Sequence, residues 1–302
     1  MRIVIATAEP RGAYHIAPLY NEMKKSVASF THLTPYPEAV QGKPWEDTSS
    51  EIDRIAKSDK VILAGGGYSA WTELVAHFAK KLGKEVIITE LALGCDTDDR
   101  RKVTPDSATA ISVASSCYLA SYYGIDQMKI EITGTPLLDN LPIWRPKKKR
   151  VLFLSTSDSI RRDPDQLLKK IALHYRKDNW DVVVRTHPRE DLSQWNEFEL
   201  DKSENFLKAA SSAEMVIGYP GTPLPITAAL KVPVYGVIPN KEMSQVILEP
   251  FNQLITGWIS SVAQIDDLKN QPNQIEDSNL EKILGPIGNS ATRIINNWLK
   301  IN

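Results

Sequence analysis

The sequence predicts an α/β protein made of two doubly wound, parallel-sheet domains arranged in series. Short runs that are apolar throughout, such as residues 61–64 and 151–154, alternate with segments of helical periodicity. Strands that are hydrophobic on both faces are typical of parallel sheets covered by helices on both sides. A basic segment with two prolines, residues 142–150, interrupts this alternation, which then resumes. The interruption favours two domains over one continuous sheet.

The first half of the chain contains five predicted strands separated by helices. The strands are expected at residues 3–6, 61–64, 86–88, 110–113 and 130–132. The helices are expected at residues 16–27, 72–82 and 116–123. Apolar residues recur at helical spacing in the first of these helices, and Gly83 is a natural stop for the second.

The segment 142–150 carries four consecutive basic residues and is predicted to be a solvated linker. It places the domain boundary between residues 145 and 146, so the predicted domains are 1–145 and 146–302. Strands are expected in the second domain at residues 151–154, 181–185, 214–217 and 232–237. Helices are expected there at residues 165–175, 203–211, 224–230 and 290–299.

Composition narrows the classes of function. The chain has 302 residues and a formal net charge of -1, from 36 basic and 37 acidic residues, which gives no strong signal for nucleic-acid binding. Cys95 and Cys117 lack the spacing of a zinc or disulfide framework. The apolar run after Met1 is too short for a signal peptide, and no stretch reaches the ~18 apolar residues of a membrane span. We therefore expect a cytoplasmic protein.

Two loops in the first domain carry candidate site residues. Parallel sheets bind ligands beyond the carboxyl ends of their strands, where loops lead into helices. The loop after the first strand holds Glu9 and His15, and an imidazole there suits a general base near neutral pH. The loop after residues 61–64 holds Gly66 and Gly67, which would let the backbone approach a ligand closely. Each loop also has an ordinary structural interpretation, as a helix entry or a turn.

Three loops in the second domain offer groups that bind phosphate. The loop after the strand at 181–185 combines an imidazole with a guanidinium, and the loop after the strand at 151–154 carries hydroxyls. The loop after the strand at 214–217 has a glycine and a hydroxyl just before a helix. Together they predict a site for a phosphate or diphosphate. The residues are Arg185, His187, Ser155, Thr156, Gly221 and Thr222.

Three segments resemble motifs of one superfamily, in the same order along the chain. Residues 12–19 (GAYHIAPL) resemble the G-G-H-x-x-P-x-L loop of the peptidoglycan N-acetylglucosaminyltransferase. Residues 130–136 (IEITGTP) resemble a strand of lipid A disaccharide synthase and of UDP-N-acetylglucosamine 2-epimerases, and residues 221–234 resemble a block that these enzymes share. The resemblance implies a GT-B fold. That fold has two Rossmann-like domains facing a cleft, and its last helix returns to the first domain.

The chain departs from that superfamily pattern at two places. Thr227 stands where many members have an acidic residue that holds the ribose, and a hydroxyl cannot replace the paired acceptors of a carboxylate. The element Arg185-Thr186-His187-Pro188 is more similar to that of sialyl-type transferases with cytidine donors and of polyol-phosphate transferases. The resemblance therefore leaves the base of the nucleotide open.

The predicted function is transfer of a sugar from a nucleotide-sugar donor to the hydroxyl of an unknown acceptor, without a metal ion. His15 is the expected base and Glu9 its substitute. The nucleotide-sugar is a co-substrate and no other cofactor is expected, while a lipid acceptor would bring the chain to a membrane surface. Two alternatives stay open. One is a sugar-nucleotide 2-epimerase that uses Glu9, Glu90 and Asp96, and the other is a catalytically inactive GT-B module.

Overall fold

The structure is a computed structural model that describes residues 1–7, 16–26, 28–34, 50–64, 70–91, 103–156, 163, 165–187, 190–221, 223–239, 251–268 and 275–300. The chain forms two compact units. Unit 1 comprises Met1–Asn140 with Glu281–Asn302, and unit 2 comprises Leu141–Leu280. Each unit is built around one parallel sheet.

Unit 1 contains a six-stranded sheet in the order β2-β1-β3-β4-β5-β6, with every described pair parallel. Its strands are β1 (Arg2–Ala6), β2 (Ser29–Leu33), β3 (Lys60–Ala64), β4 (Glu85–Thr89), β5 (Ser107–Ala110) and β6 (Ile130–Ile132). Its first helices are α1 (Tyr20–Lys25), α2 (Glu51–Lys57), α3 (Ala70–Lys81) and α4 (Val113–Tyr123).

Alternate residues of each unit 1 strand enter two separate cores, one on each face of the sheet. Val4 and Val61 belong to the core under α2, α3 and α4, whereas Ile3 and Ile62 belong to the core on the opposite face. This explains why the strands read as apolar throughout. The second core is completed by a helix from the C-terminal segment, whose indole Trp298 Nε1 donates to Thr89 Oγ1 at 2.8 Å.

Unit 2 contains a second six-stranded sheet in the order β12-β11-β10-β7-β8-β9, again parallel. Its strands are β7 (Arg150–Leu154), β8 (Asp181–Arg185), β9 (Glu199–Leu200), β10 (Met215–Gly218), β11 (Val234–Val237) and β12 (Gly257–Ile259). The remaining helices of the chain are α5 (Leu167–Lys177), α6 (Phe206–Ala210), α7 (Pro223–Thr227), α8 (Ile265–Leu268), α9 (Asp277–Leu284) and α10 (Ser290–Leu299).

The fold prediction of two parallel α/β domains is confirmed, with differences at individual elements. The strand predicted at 110–113 ends at Ala110, because Ser112 instead caps α4 by accepting from the backbone N–H of Ser115 at 3.2 Å. Strand β2 was not predicted, since its sequence SFTHL is half polar and it lies at an edge of the sheet.

The segment predicted as a linker is attached to unit 2 by specific hydrogen bonds. Trp144 Nε1 donates to the carbonyl of Ala213 at 2.8 Å, and the backbone N–H of Arg145 donates to the carbonyl of Ser211 at 2.8 Å. No helix in the described part of the chain has both the length and the apolar character needed to cross a bilayer.

Each sheet has one point where the strand order reverses. In unit 1 it lies between β1 and β3, and in unit 2 between β7 and β10. The chain winds outward from these neighbouring strands in opposite directions, and doubly wound sheets generally bind ligands beyond the carboxyl ends of such strands. The loops that carry Glu9 and His15, and Gly66 and Gly67, follow β1 and β3 in sequence. Likewise Ser155 follows β7, and Gly221 follows β10 by three residues.

Candidate nucleotide site

The carboxyl edge of the unit 2 sheet brings the loops after β7 and β8 together. The backbone N–H of Ser155 donates to the carbonyl of Arg185 at 3.0 Å, so the two strands remain paired up to their last residues. Thr156 and His187 come next along these two loops, and both are half-buried. The predicted phosphate ligands Ser155, Thr156 and His187 therefore lie at one edge, on adjacent strands.

A buried glutamate connects these two loops. Glu190 is 8% exposed, and its Oε1 accepts a hydrogen bond from Ser155 Oγ at 2.6 Å. The same oxygen accepts from Gln194 Nε2 at 2.6 Å and from Trp195 Nε1 at 3.1 Å. Its other oxygen, Oε2, accepts from the backbone N–H of His187 at 3.2 Å. Four donors on one carboxylate hold the hydroxyl of Ser155 and the backbone of His187 in a defined arrangement.

Glu190 was missed in the sequence analysis, because a glutamate in a loop usually faces solvent. The residues around Glu190 in the sequence could have indicated that it is buried. A carboxylate that follows His187-Pro188, with an amide and an indole four and five residues further on, has enough donors to be buried.

Arg185 does not offer a free positive charge in this structure. Its Nη1 is hydrogen-bonded to Asp201 Oδ2 and also donates to the carbonyl of Ser203 at 3.0 Å. Burial alone would raise the pKa of Asp201, but hydrogen bonds from Ser203 and Arg185 outweigh it and lower that pKa. The Asp201 carboxylate therefore neutralises much of the charge that Arg185 would offer to a phosphate.

The loop after β10 provides less than the sequence suggested. Gly221 is exposed, and its carbonyl accepts from the backbone N–H of Leu224 at 3.1 Å. Pro223 and Pro225 have no N–H, so the first turn of α7 lacks two of the donors that a phosphate would use at a helix start. Thr222 lies outside the described residues.

Tyr219, in the loop after β10, is buried and holds that loop through a hydrogen bond of its hydroxyl. Its hydroxyl donates to Asp163 Oδ2 at 2.5 Å, and the same carboxylate oxygen accepts from the backbone N–H of Leu168 at 3.1 Å. Burial and then the Asp163 carboxylate raise the pKa of Tyr219. This contact joins the loop after β10 to the start of α5.

Position 227 makes no contribution to ribose binding in this arrangement. Thr227 is 0% exposed, and its hydroxyl donates to the carbonyl of Leu224 at 2.6 Å within the same helix. A carboxylate ligand for a ribose would have to come from another position, as the sequence indicated.

In unit 1 the candidate residues Glu9, His15, Gly66 and Gly67 lie outside the described residues, as does Asp96. The described part of this edge holds two buried titratable groups. His32 Nε2 and Thr7 Oγ1 share a hydrogen bond of 2.7 Å, and burial lowers the pKa of His32 to about 4. Glu90 is buried directly after β4, and its Oε2 accepts from the backbone N–H of Ile111 at 2.9 Å.

Comparison with solved structures identifies the fold. The chain is similar to the UDP-GlcNAc 2-epimerase from Methanocaldococcus jannaschii, with a TM-score of 0.66 and 15% identity over 98% of this chain and 99% of that one. This is the GT-B fold. The S. aureus MnaA structure with UDP has a TM-score of 0.61 and 12% identity, over 98% of this chain and 95% of that one.

A third similar structure is the wall teichoic acid polymerase TagF soaked with CDPG, with a TM-score of 0.61 and 13% identity, over 99% of this chain and 90% of that one. No protein-family model matches the sequence, and a sequence search of curated proteins finds no match. The GT-B fold predicted from the motifs is therefore confirmed by three-dimensional similarity alone.

Proposed function

We propose that this chain is an enzyme that binds a nucleotide-linked sugar at the carboxyl edge of the unit 2 sheet and transfers the sugar to an acceptor hydroxyl. The observation that carries the proposal is the Glu190 carboxylate, which fixes Ser155 and the backbone of His187 beside the switch point between β7 and β10. Two structures of the same fold were obtained with nucleotide ligands, UDP and CDPG, which supports nucleotide binding by this chain.

In this proposal His187, Ser155 and Thr156 contact the donor phosphates. Because Arg185 is already paired and α7 begins with two prolines, the imidazole and the hydroxyls supply most of the interaction. The acceptor oxygen attacks the anomeric carbon as the bond from that carbon to the phosphate oxygen breaks, and the nucleoside diphosphate leaves. His15 is proposed to take the hydroxyl proton, with Glu9 as the alternative base.

A 2-epimerase of the same fold is the second candidate. A similar structure that matches over 99% of its own length is an epimerase, and Glu90 is a buried carboxylate directly after β4 in unit 1. Its oxygen Oε2 accepts a hydrogen bond from the Ile111 N–H at 2.9 Å, which fixes the position of the carboxylate. A binding module without activity is the third candidate, favoured by the inward-bonded Thr227.

Nucleotide binding is tested by thermal unfolding with uridine, cytidine, guanosine and thymidine mono- and diphosphates. A ligand at ~100 times its Kd stabilises the folded protein by ~2.7 kcal/mol. We expect one nucleotide to produce such a shift and His187→Ala to lose most of it. His77→Ala, on an exposed position of α3, is the matched control and keeps the shift. If no nucleotide raises the melting temperature at millimolar concentration, the unit 2 assignment is wrong.

Product analysis separates the candidates once a nucleotide is known. Formation of a 2-epimer from the nucleotide-sugar alone identifies an epimerase, because that reaction needs no acceptor. Release of nucleoside diphosphate only when an acceptor alcohol is present identifies a transferase. Binding without either product identifies the inactive module. In the transferase case His15→Ala lowers turnover by ~10²–10⁴-fold, and Glu9→Gln is its comparison.

A further inference from the structure

Three side chains on the surface of unit 2 converge in a pattern that the nucleotide site does not use. His174, Asp178 and Asp266 each place one ligand atom within 4.8 Å of the other two. His174 Nε2 lies 3.7 Å from Asp178 Oδ2 and 4.0 Å from Asp266 Oδ1. His174 lies in the last turn of α5, and Asp178 caps its C-terminus one turn later, whereas Asp266 belongs to α8.

The two helices that carry these residues are held together by the core of unit 2. Ile265, next to Asp266, is fully buried in the same cluster as Ile171 and Tyr175 of α5. The backbone N–H of Asp178 bonds back to the carbonyl of His174 at 3.2 Å, so the end of α5 is ordered as well. The three ligand atoms are therefore positioned by packed elements.

One nitrogen of the His174 imidazole has no hydrogen-bond partner among the described residues. His174 Nε2 is buried and makes no hydrogen bond with the described part of the chain. Its distances to both carboxylates exceed hydrogen-bond length. They suit a cation between the three groups, because zinc bonds of about 2.0–2.2 Å to imidazole nitrogen and carboxylate oxygen separate the ligand atoms by roughly 3.3 Å. Shifts of a few tenths of an ångström in each side chain would complete the site.

The surroundings favour a positive ion. The C-terminus of α5 presents the negative end of its helix dipole, and two carboxylates face the imidazole. One nitrogen and two oxygen ligands suit a borderline transition-metal ion, whereas magnesium and calcium prefer all-oxygen sites. The competing interpretation is an ion pair between protonated His174 and the two aspartates, which needs no metal.

We propose that His174, Asp178 and Asp266 bind one Zn²⁺ ion, with water completing its coordination. The ion would cross-link α5 to α8. It would sit near the amino ends of the strands, because α5 ends just before β8 begins at Asp181, and so away from the nucleotide edge. The proposal does not depend on the proposed enzymatic function.

The full chain, first treated with EDTA and desalted, is titrated with zinc sulfate by calorimetry and thermal unfolding. We expect one saturable site and a rise in melting temperature of about 4 °C or more at 100-fold excess over Kd. His174→Gln abolishes both effects and Asp266→Asn weakens binding at least tenfold, whereas the control His77→Gln changes neither. A variant whose melting temperature without zinc equals that of zinc-free wild type is thereby shown to be folded.

Three results would overturn the proposal. They are the absence of saturable zinc binding by wild type, zinc binding that His174→Gln leaves unchanged, and a stabilisation by Mg²⁺ as large as that by Zn²⁺. Cobalt gives a second readout, because Co²⁺ bound through the imidazole shows visible absorption that His174→Gln removes.

Discussion

Replacing Glu190 by glutamine tests the central contact of the candidate site. The glutamine keeps one oxygen for Ser155, Gln194 and Trp195, but its amide NH₂ then faces the backbone N–H of His187 at the position of Oε2. A buried donor left without an acceptor costs about 1–3 kcal/mol, and the other three bonds lose the strength that a charged acceptor supplies. The substitution is expected to lower the free energy of unfolding by about 3 kcal/mol.

The assay is urea unfolding followed by circular dichroism, together with the nucleotide thermal shift. Glu197→Gln is the matched control, since Glu197 forms an exposed ion pair with Lys169 at 2.9 Å that contributes about 1 kcal/mol or less. Glu190→Gln should also weaken nucleotide binding at least tenfold, while Glu197→Gln leaves it unchanged. If both variants unfold within about 1 kcal/mol of wild type, the carboxylate does not organise these loops and the argument fails.

Two further predictions concern unit 1. A methyl group on Gly285 (φ +73°) would lie 1.8 Å from the Ile111 carbonyl oxygen, whereas one on Gly83 (φ +67°) would meet open space. In urea unfolding, Gly285→Ala should therefore lower the free energy of unfolding by more than ~3 kcal/mol and Gly83→Ala by only ~1 kcal/mol. Equal losses in the two variants would contradict this. His32 is neutral when folded, with its pKa lowered to about 4 by burial. Below pH ~6.5 the unfolded chain binds a proton at His32 that the folded protein does not. The free energy of unfolding therefore falls by ~1.4 kcal/mol per pH unit as the pH drops from ~6.5 towards the folded pKa, and it is unaffected by His32 above pH ~6.5. His32→Asn should flatten that slope in urea unfolding between pH 7 and 5, and an unchanged slope would exclude His32 as its source.

Part of the candidate site follows from local sequence and part does not. Ser155 and His187 were predictable because they lie one and two residues after the ends of two largely apolar strands, and the ends of parallel strands meet at one edge. The engagement of Arg185 by Asp201 was not predictable, because it depends on β9 pairing beside β8 and bringing the following segment alongside. A guanidinium after a strand has the same local sequence whether it binds a ligand or an aspartate.

The sequence by itself determined the class of each sheet and the alternation of the central strands with helices. Strands such as β3 and β7 are buried on both faces, so nearly all of their residues are apolar. This run of apolar residues is visible in the sequence even when the neighbouring strands and helices are unknown. The GT-B motifs are likewise local, because each lies in one loop or strand end. The edge strand β2 was missed, since polar residues interrupt its sequence SFTHL and leave no continuous apolar run.

Only the tertiary structure decided which polar groups are satisfied within the protein. Glu190 collects donors from residues 155, 187, 194 and 195, and His174 meets Asp266 from a separate helix. Such contacts depend on the strand order and on how helices dock, which distant residues fix jointly through packing. The energy of a buried carboxylate or imidazole depends on those neighbours far more than on its own residue type. For that reason the sequence could predict candidate edges of the two sheets, whereas the fold determined which polar side chains there are already bonded within the protein.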